Sequence, residues 1–141
     1  MIELNWIAII LATLSTMVVG SIWYSPNVFG RRWQKLARIK GQGENVTPKE
    51  MALIYGGAFL GSLITVIILA IGAFIVADFT GWGFLEATLV AAVVGWLGFT
   101  IARINMHDSF EGRPKELTFM TGAFELVTIL VVALIIGVWP A

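Results

Sequence analysis

The sequence predicts an all-α integral membrane protein, a bundle of four membrane-spanning helices, and three observations predict it. The 141 residues are 58% hydrophobic and only 13% charged, whereas a soluble domain of this length needs far more charge to cover its surface. Four apolar runs are each long enough to cross a hydrocarbon core of ~30 Å as a helix. All nine basic residues fall in two of the three connections between these runs. Because lysine and arginine near spans stay on the cytoplasmic side, both chain ends are predicted to lie outside.

The four predicted spans belong to a single membrane domain, residues 1–141. Helix is the only conformation expected for them, because unpaired backbone groups in lipid are costly and the sequence has no alternating barrel pattern. Thr47, Pro48 and Glu50 have the spacing of a capping box, which predicts that the second helix begins before its apolar stretch. Pro114 similarly precedes the last span. The spans are predicted at about 6–24, 51–77, 84–104 and 117–139.

A short interfacial amphipathic helix is predicted between the first and second spans, at about residues 27–40. Phe29, Trp33 and Leu36 recur at helical spacing and give it one apolar edge. Basic side chains occupy much of the remaining surface, and such charges are attracted to anionic lipid. We expect this helix to lie in the headgroup layer of the inner leaflet, and a solvated basic loop is the alternative. The residues predicted to contact headgroups are Arg31, Arg32, Trp33, Lys35 and Arg38.

Glu125 lies inside the fourth apolar run, about eleven residues after Pro114 and hence ~16 Å along the helix. A carboxylate at this depth costs roughly 2.5–3.5 kcal/mol on insertion scales and usually faces the protein interior. Polar groups on the other spans fall at similar depth. Two interpretations stay open: a proton-coupled or ligand-binding site, or an interhelical hydrogen-bond network that neutralises the carboxylate and fixes packing. The predicted polar layer consists of Glu125, Trp96, Ser62, Thr65, Ser15 and Thr16.

Arg103, near the end of the third span, is a candidate ion-pair partner of Glu125. Its side chain is also long enough to reach the headgroups, which is the more frequent behaviour of arginine at such a position. Residues 105–111 follow it and include one imidazole and two carboxylates, but their spacing matches no helical pair of metal ligands. The absence of cysteine excludes disulfides and thiolate sites. No metal and no cofactor are therefore predicted.

Small residues predict close contacts between helices. Gly57 and Gly61 make a GxxxG pattern in the second span, and Ala91, Gly95 and Gly98 belong to a longer stripe in the third. Such stripes let two backbones approach closely, and they fit a neighbour in the same chain as well as one in another copy. Because one thin bundle is expected to bury a carboxylate poorly, a homo-oligomer is predicted.

The segment from Gly20 to Trp33 reads GSIWYSPNVFGRRW and resembles the opening signature of a family of small bacterial membrane proteins, domain of unknown function 1761. Residues 110–114 read FEGRP and resemble the second signature of that family. The likeness extends over nearly the whole chain. It implies a four-helix multi-pass domain in a bacterial cytoplasmic (inner) membrane, and it implies no activity, substrate or catalytic residue.

Two functions stay open. One is a small transport or permeation protein for an ion or small molecule, with a mid-membrane polar site around Glu125. The alternative is a non-catalytic scaffold or accessory subunit that acts through helix and lipid contacts. The sequence has no phosphate-binding loop, zinc helix motif or serine elbow, so no enzyme is predicted. It also has no basic stripe with interleaved aromatics, so the expected partners are anionic lipids and further copies of the chain rather than nucleic acid.

Overall fold

A computed structural model describes residues 3–37 and 46–140. The structure is 84% helix, and no strand occurs in those two ranges. Four helices are long and apolar enough to cross a membrane, which confirms the predicted fold class. The third of them, Phe84–Phe110, is one continuous helix with a π-helical middle. In chain order the elements are α1 (Trp6–Trp23), α2 (Gly30–Leu36), α3 (Pro48–Thr80), α4 (Phe84–Gly95), a π-helical segment (Trp96–Ile101), α5 (Ala102–Phe110) and α6 (Lys115–Val138).

The ends of the spans follow local capping chemistry. The Thr47 side chain accepts a hydrogen bond from the backbone N–H of Glu50 at 3.2 Å, and the Glu50 carboxylate accepts one from the Thr47 backbone at 2.8 Å. The predicted capping box is therefore confirmed. Gly81 ends α3 in the left-handed conformation, with φ of 74°. Asn5 caps α1 by accepting a hydrogen bond from the backbone N–H of Ala8 at 3.0 Å.

The two ends of the chain meet at one end of the bundle, here called the terminal end. There the Asn5 side-chain amide donates a hydrogen bond to the Trp139 carbonyl at 3.3 Å. Helix α2 lies at the opposite end, here called the basic end, where Arg32 forms an ion pair with Glu116 of α6. This hydrogen-bonded ion pair raises the pKa of the Arg32 guanidinium. The segregation of charge agrees with spans that cross four times, while the side of the membrane on which each end lies stays a prediction.

Helix α2 begins later than predicted because a tight turn precedes it. The Ser25 carbonyl accepts the N–H groups of both Val28 and Gly30, at 3.1 and 2.9 Å. A Cβ atom at Gly30 would lie 2.2 Å from the Tyr24 carbonyl oxygen, so this turn requires glycine. The rest of the predicted interfacial helix, including Arg38, lies outside the described residues.

Helices α1, α3, α4 and α6 form a ring in which each packs against two neighbours. The hydrophobic core lies in the half of this ring near the terminal end. Small side chains allow the helices to approach closely there, and Ala12, Ala92 and Ala133 are each at most 1% exposed. The core consists of Ile9, Ala12, Val66, Leu69, Ala70, Ala92, Val132, Ala133 and Ile136.

The basic-end half of α3 is not buried by the rest of the described chain. Every residue from Pro48 to Ala58 is exposed, and the first buried residue of α3 is Val66. Helix α4 packs extensively on α3, but the π-helical segment and α5 that continue the third span do not. The bundle is therefore closed near the terminal end and open on one side near the basic end.

Candidate functional site

A cavity of about 760 Å³ lies in the basic-end half of the bundle, between α1, α3 and α6. Its volume is in the range of small-molecule sites, roughly 300–1,000 Å³. The wall combines aliphatic and aromatic side chains with several hydroxyl groups and one carboxylate, that of Glu125. The polar residues that line it are Thr16, Ser21, Tyr24, Tyr55, Ser62, Thr65, Glu125 and Thr128.

Glu125 lies near the middle of α6, ten residues after Lys115 in a helix of 24 residues, or ~15 Å along its axis. Its side chain is half-buried and faces the cavity. Within the described ranges, no residue forms an ion pair or hydrogen bond with its carboxylate. Since a carboxylate at this depth is costly without a partner, the site is suited to binding a proton or a positively charged group.

Hydroxyl groups share the cavity wall with Glu125. The hydroxyls of Thr16 and Ser62 lie 3.0 Å apart and form a hydrogen bond between α1 and α3. The Thr65 hydroxyl donates to the backbone of its own helix at 3.1 Å. Thr128 lies three residues after Glu125, on the same side of α6, and its buried hydroxyl has no hydrogen-bond partner in the described part of the chain. Buried polar groups are usually paired, so the hydroxyl of Thr128 is an exception among the residues of the wall.

A cluster of aromatic rings packs against the α1 and α6 side of the cavity near the basic end. The ring of Phe124 packs against Tyr24 and Trp23, with centroid distances of 5.0 and 6.0 Å. Phe29 packs on Trp23 at 4.6 Å, and Trp33 packs on Tyr24 at 5.3 Å. Trp33, predicted to lie at the headgroups, is thus half-buried against the protein. Through these contacts α2 is attached directly to the cavity wall.

Three of the residues predicted to share a layer with Glu125 do line its cavity, namely Thr16, Ser62 and Thr65. Ser15 does not line the cavity, and its hydroxyl donates to the backbone of its own helix at 2.7 Å. The prediction used depth along each helix, which does not specify the side of the helix on which a residue lies. Ser15 precedes Thr16 by one residue, and so it lies on a different side of α1.

Trp96 also lies outside the cavity lining, because it reaches α6 from the third span. Its indole N–H donates to the Gly122 carbonyl at 3.0 Å. Trp96 begins the π-helical segment, and a Cβ atom at Gly122 would lie 2.3 Å from the side chain of Ile101 at the other end of that segment. Segments of π-helix are rare within α-helices. Trp96 and Gly122 therefore fix how the third span packs on α6.

Arg103 is exposed and lines a different hollow, of about 430 Å³, at the basic end. None of the ion pairs in the described ranges joins it to Glu125. Nearby, buried Asp108 accepts a hydrogen bond from the Thr118 hydroxyl at 2.8 Å, and Arg113 lies 2.6 Å from Glu111. These contacts hold the hairpin between α5 and α6. Among the described residues, no group of three His, Asp or Glu side chains is arranged to hold a metal.

The glycines of the predicted small-residue stripes have open space beside them rather than a neighbouring helix. A Cβ atom added at Gly57, Gly61, Gly95 or Gly98 would meet no atom within 4 Å. Ala91, in contrast, packs against the core. The four glycines therefore leave bare backbone that lipid or another polypeptide can approach.

Among the residues of the cavity wall that sequence reasoning missed are Tyr24, Phe124 and Thr128. A signal for Thr128 was present, since residues three apart lie on the same side of a helix and Thr128 follows Glu125 at that spacing. Tyr24 and Phe124 have no comparable signal, because aromatic residues in a span are equally expected to face lipid.

Comparison with known protein families gives one match. A family model described as a protein of unknown function, DUF1761, matches residues 7–137, which include almost all of the four spans and the whole cavity wall. No curated protein and no solved structure matches the chain. The chain belongs to the DUF1761 family of proteins of unknown function.

Proposed function

We propose that this chain is a small membrane transport or permeation protein and that the Glu125 cavity is its substrate site. The observation that carries the proposal is a carboxylate in the middle of a span that faces a cavity of about 760 Å³ without a partner among the described residues. A carboxylate that only fixed packing would be expected to contact a donor on a neighbouring helix. A proton, ion or small molecule entering the cavity would serve as that partner.

The difference between the two halves of the bundle supports the same proposal. The core closes the terminal end, while the exposed half of α3 leaves the basic end open. A mid-membrane site that is open near one end of the bundle and closed near the other end is expected of one state of an alternating-access transporter. The exposed half of α3 also makes few contacts that a movement would break.

We further propose that the chain lies in a bacterial cytoplasmic membrane with both ends outside. The basic end would then face the cytoplasm, and the exposed Arg31 and Lys35 of α2 would contact anionic lipid headgroups. Protease added to intact cells is expected to remove tags from both ends of the chain. Protection of both tags would contradict this orientation.

A proton-flux measurement tests the transport proposal. The purified protein is reconstituted into vesicles that contain a pH-sensitive dye, a pH step is applied, and valinomycin with potassium holds the membrane potential at zero. We expect wild-type vesicles to lose the gradient faster than protein-free vesicles. Glu125→Gln should return the rate to that of protein-free vesicles, because the replaced side chain can neither bind nor release a proton.

Glu86→Gln is the matched control. Glu86 is exposed in the first turn of α4, near the terminal end and away from the cavity, so this variant should keep the wild-type rate. Wild-type flux in Glu125→Gln would remove Glu125 from the mechanism. Absence of flux in the wild-type protein would count against transport and in favour of the second candidate function.

That second candidate is a non-catalytic scaffold or accessory subunit, and the bare glycines favour it. Gly95 and Gly98 lie on the third span with open space beside them. If another copy packs there, Gly95→Leu should reduce the oligomer in a mild detergent, as measured by size-exclusion chromatography with light scattering. Val94→Leu is the control, since Val94 is already a bulky exposed residue. A monomeric wild-type protein with no co-purifying partner would contradict the scaffold role.

A further inference from the structure

We infer that the Glu125 cavity takes an organic monocation, a molecule with one positive charge on a largely apolar body. The inference rests on the proposed function, because it names the substrate class of the same site. It is carried by three features of the cavity: the balance of charge in its wall, the neutral character of its other polar groups, and its size and aromatic surface.

The charge balance of the wall selects for a single positive charge. The lining residues include one carboxylate and no lysine, arginine or histidine. Among the described cations, Arg32 pairs with Glu116 and Lys115 bonds to Asn105 at the basic end. An anion would therefore meet an uncompensated negative charge, and a neutral molecule would leave the carboxylate without a counter-charge.

The polar groups of the wall other than Glu125 are neutral hydroxyls. They belong to Thr16, Ser21, Tyr24, Tyr55, Ser62, Thr65 and Thr128. Hard metal ions take about six or more oxygen ligands and draw them mainly from carboxylates, carbonyls and water. The wall supplies one carboxylate, whereas a quaternary or aromatic cation needs one counter-charge and a polarisable wall.

The remaining surface of the cavity fits the apolar body of such a molecule. The rings of Tyr24 and Phe124 pack edge to face with centroids 5.0 Å apart, and aromatic faces attract organic cations. Ile129 and Val132 continue the apolar wall along α6. A volume of about 760 Å³ is far larger than an inorganic ion and fits a molecule of drug size.

Access to the cavity is expected from the bilayer. Ile54 and Tyr55 belong to the cavity wall and are 61% and 55% exposed, in the half of α3 that no other described helix covers. A molecule with an apolar body partitions into lipid and reaches this opening without crossing the packed core. Entry from lipid also explains why the wall of the site is largely apolar although it contains a carboxylate.

Binding of two ions that match in shape and differ in charge tests the inference. Tetraphenylphosphonium and tetraphenylborate are titrated into the purified full-length protein by calorimetry. We expect the phosphonium to bind about tenfold or more tightly than the borate, because only the cation gains the carboxylate. This comparison uses the wild-type protein alone, so it does not depend on how well any variant folds.

Two variants then locate the site. Glu125→Gln should weaken phosphonium binding by about tenfold or more, with the gel-filtration profile and helical circular dichroism of the wild type. Glu86→Gln keeps Glu125 and should bind as the wild type does. Equal affinity for the two ions, no binding of the phosphonium to the wild type, or full affinity in Glu125→Gln would each overturn the inference.

Failure of this inference and failure of the proposed function give different results. If vesicles show Glu125-dependent proton flux and the phosphonium does not bind, the site transports something other than an organic cation. If the phosphonium binds through Glu125 and vesicles show no proton flux, the cation site stands and proton transport is wrong.

Discussion

Hydroxyl groups in the two halves of the bundle have different partners. In the terminal-end half, Thr13 and Thr88 are fully buried, and their hydroxyls donate to their own helices at 2.8 and 2.6 Å. In the basic-end half, the Thr16 hydroxyl lies 2.7 Å from the Thr13 carbonyl of its own helix and 3.0 Å from the Ser62 hydroxyl on α3, and the buried hydroxyl of Thr128 has no partner among the described residues. Hydroxyls in both halves therefore bond to their own helices, and the basic-end half adds one bond between helices and one unpaired hydroxyl.

Two glycines, one in each half, show how closely a neighbouring helix approaches. A Cβ atom at Gly137, near the terminal end, would lie 3.0 Å from the Leu85 backbone, while one at Gly57, near the basic end, would meet open space. Helix α6 therefore has a close neighbour near the terminal end, and α3 has none among the described residues near the basic end. The closed half therefore holds the helices in position, and the open half has space to bind a ligand.

Adding a bulky side chain is expected to give the largest difference in the free energy of unfolding between the two halves. Ala133 is fully buried in the core, so Ala133→Leu should lower the free energy of unfolding by about 3 kcal/mol. Gly57→Leu adds a larger group in the open half and should change it by less than ~0.5 kcal/mol. Unfolding of both variants in mixed detergent micelles measures this. Similar losses in the two variants would mean that the open half is also packed, for example by a second copy.

The hydrogen bond between Thr16 and Ser62 should have a smaller effect. It is the polar contact that joins α1 and α3 in the cavity wall. A double-mutant cycle of Thr16→Val and Ser62→Ala should give a coupling of about 0.6 kcal/mol, the typical value for such bonds in membrane proteins. Zero coupling would show that the two helices are already apart in the basic-end half.

The smallest stability effect is expected at Thr128. Its hydroxyl has no partner among the described residues, so Thr128→Val should change the free energy of unfolding by less than ~0.5 kcal/mol. The same variant should leave phosphonium binding unchanged, because tetraphenylphosphonium has no group that hydrogen-bonds to a hydroxyl. A stability loss of about 1 kcal/mol or more would indicate that the hydroxyl already has a structural partner.

The sequence predicted those parts of the fold that depend on local chemistry. The capping box at Thr47 and Glu50 and the four apolar helices are confirmed, because caps and hydrocarbon thickness act on short segments. The extent of α2 was not predictable, since the turn before it depends on backbone contacts between Gly30 and Tyr24. The π-helical segment at Trp96 was also missed, because it depends on how the third span meets Gly122.

The cavity was predictable in part. Depth along the helices identified Glu125, Thr16, Ser62 and Thr65 as neighbours, since the rise per residue of a helix is fixed. Depth did not separate Thr16 from Ser15 or reveal that Trp96 lies outside the lining. Those distinctions depend on the rotation of each helix, which is set by packing against its neighbours.

Single-cysteine labelling tests most directly whether the basic-end half holds a hydrated cavity beside Glu125 and the terminal-end half is closed. The chain has no cysteine, so Thr65→Cys and Thr88→Cys each introduce a single reactive thiol, the first in the exposed part of the cavity wall and the second in the closed half. A small charged methanethiosulfonate should modify the Thr65→Cys protein about tenfold or more faster than the Thr88→Cys protein, because thiol reactivity follows exposure to water. Tetraphenylphosphonium should slow the faster reaction. Equal, slow rates in the two proteins would contradict an open cavity.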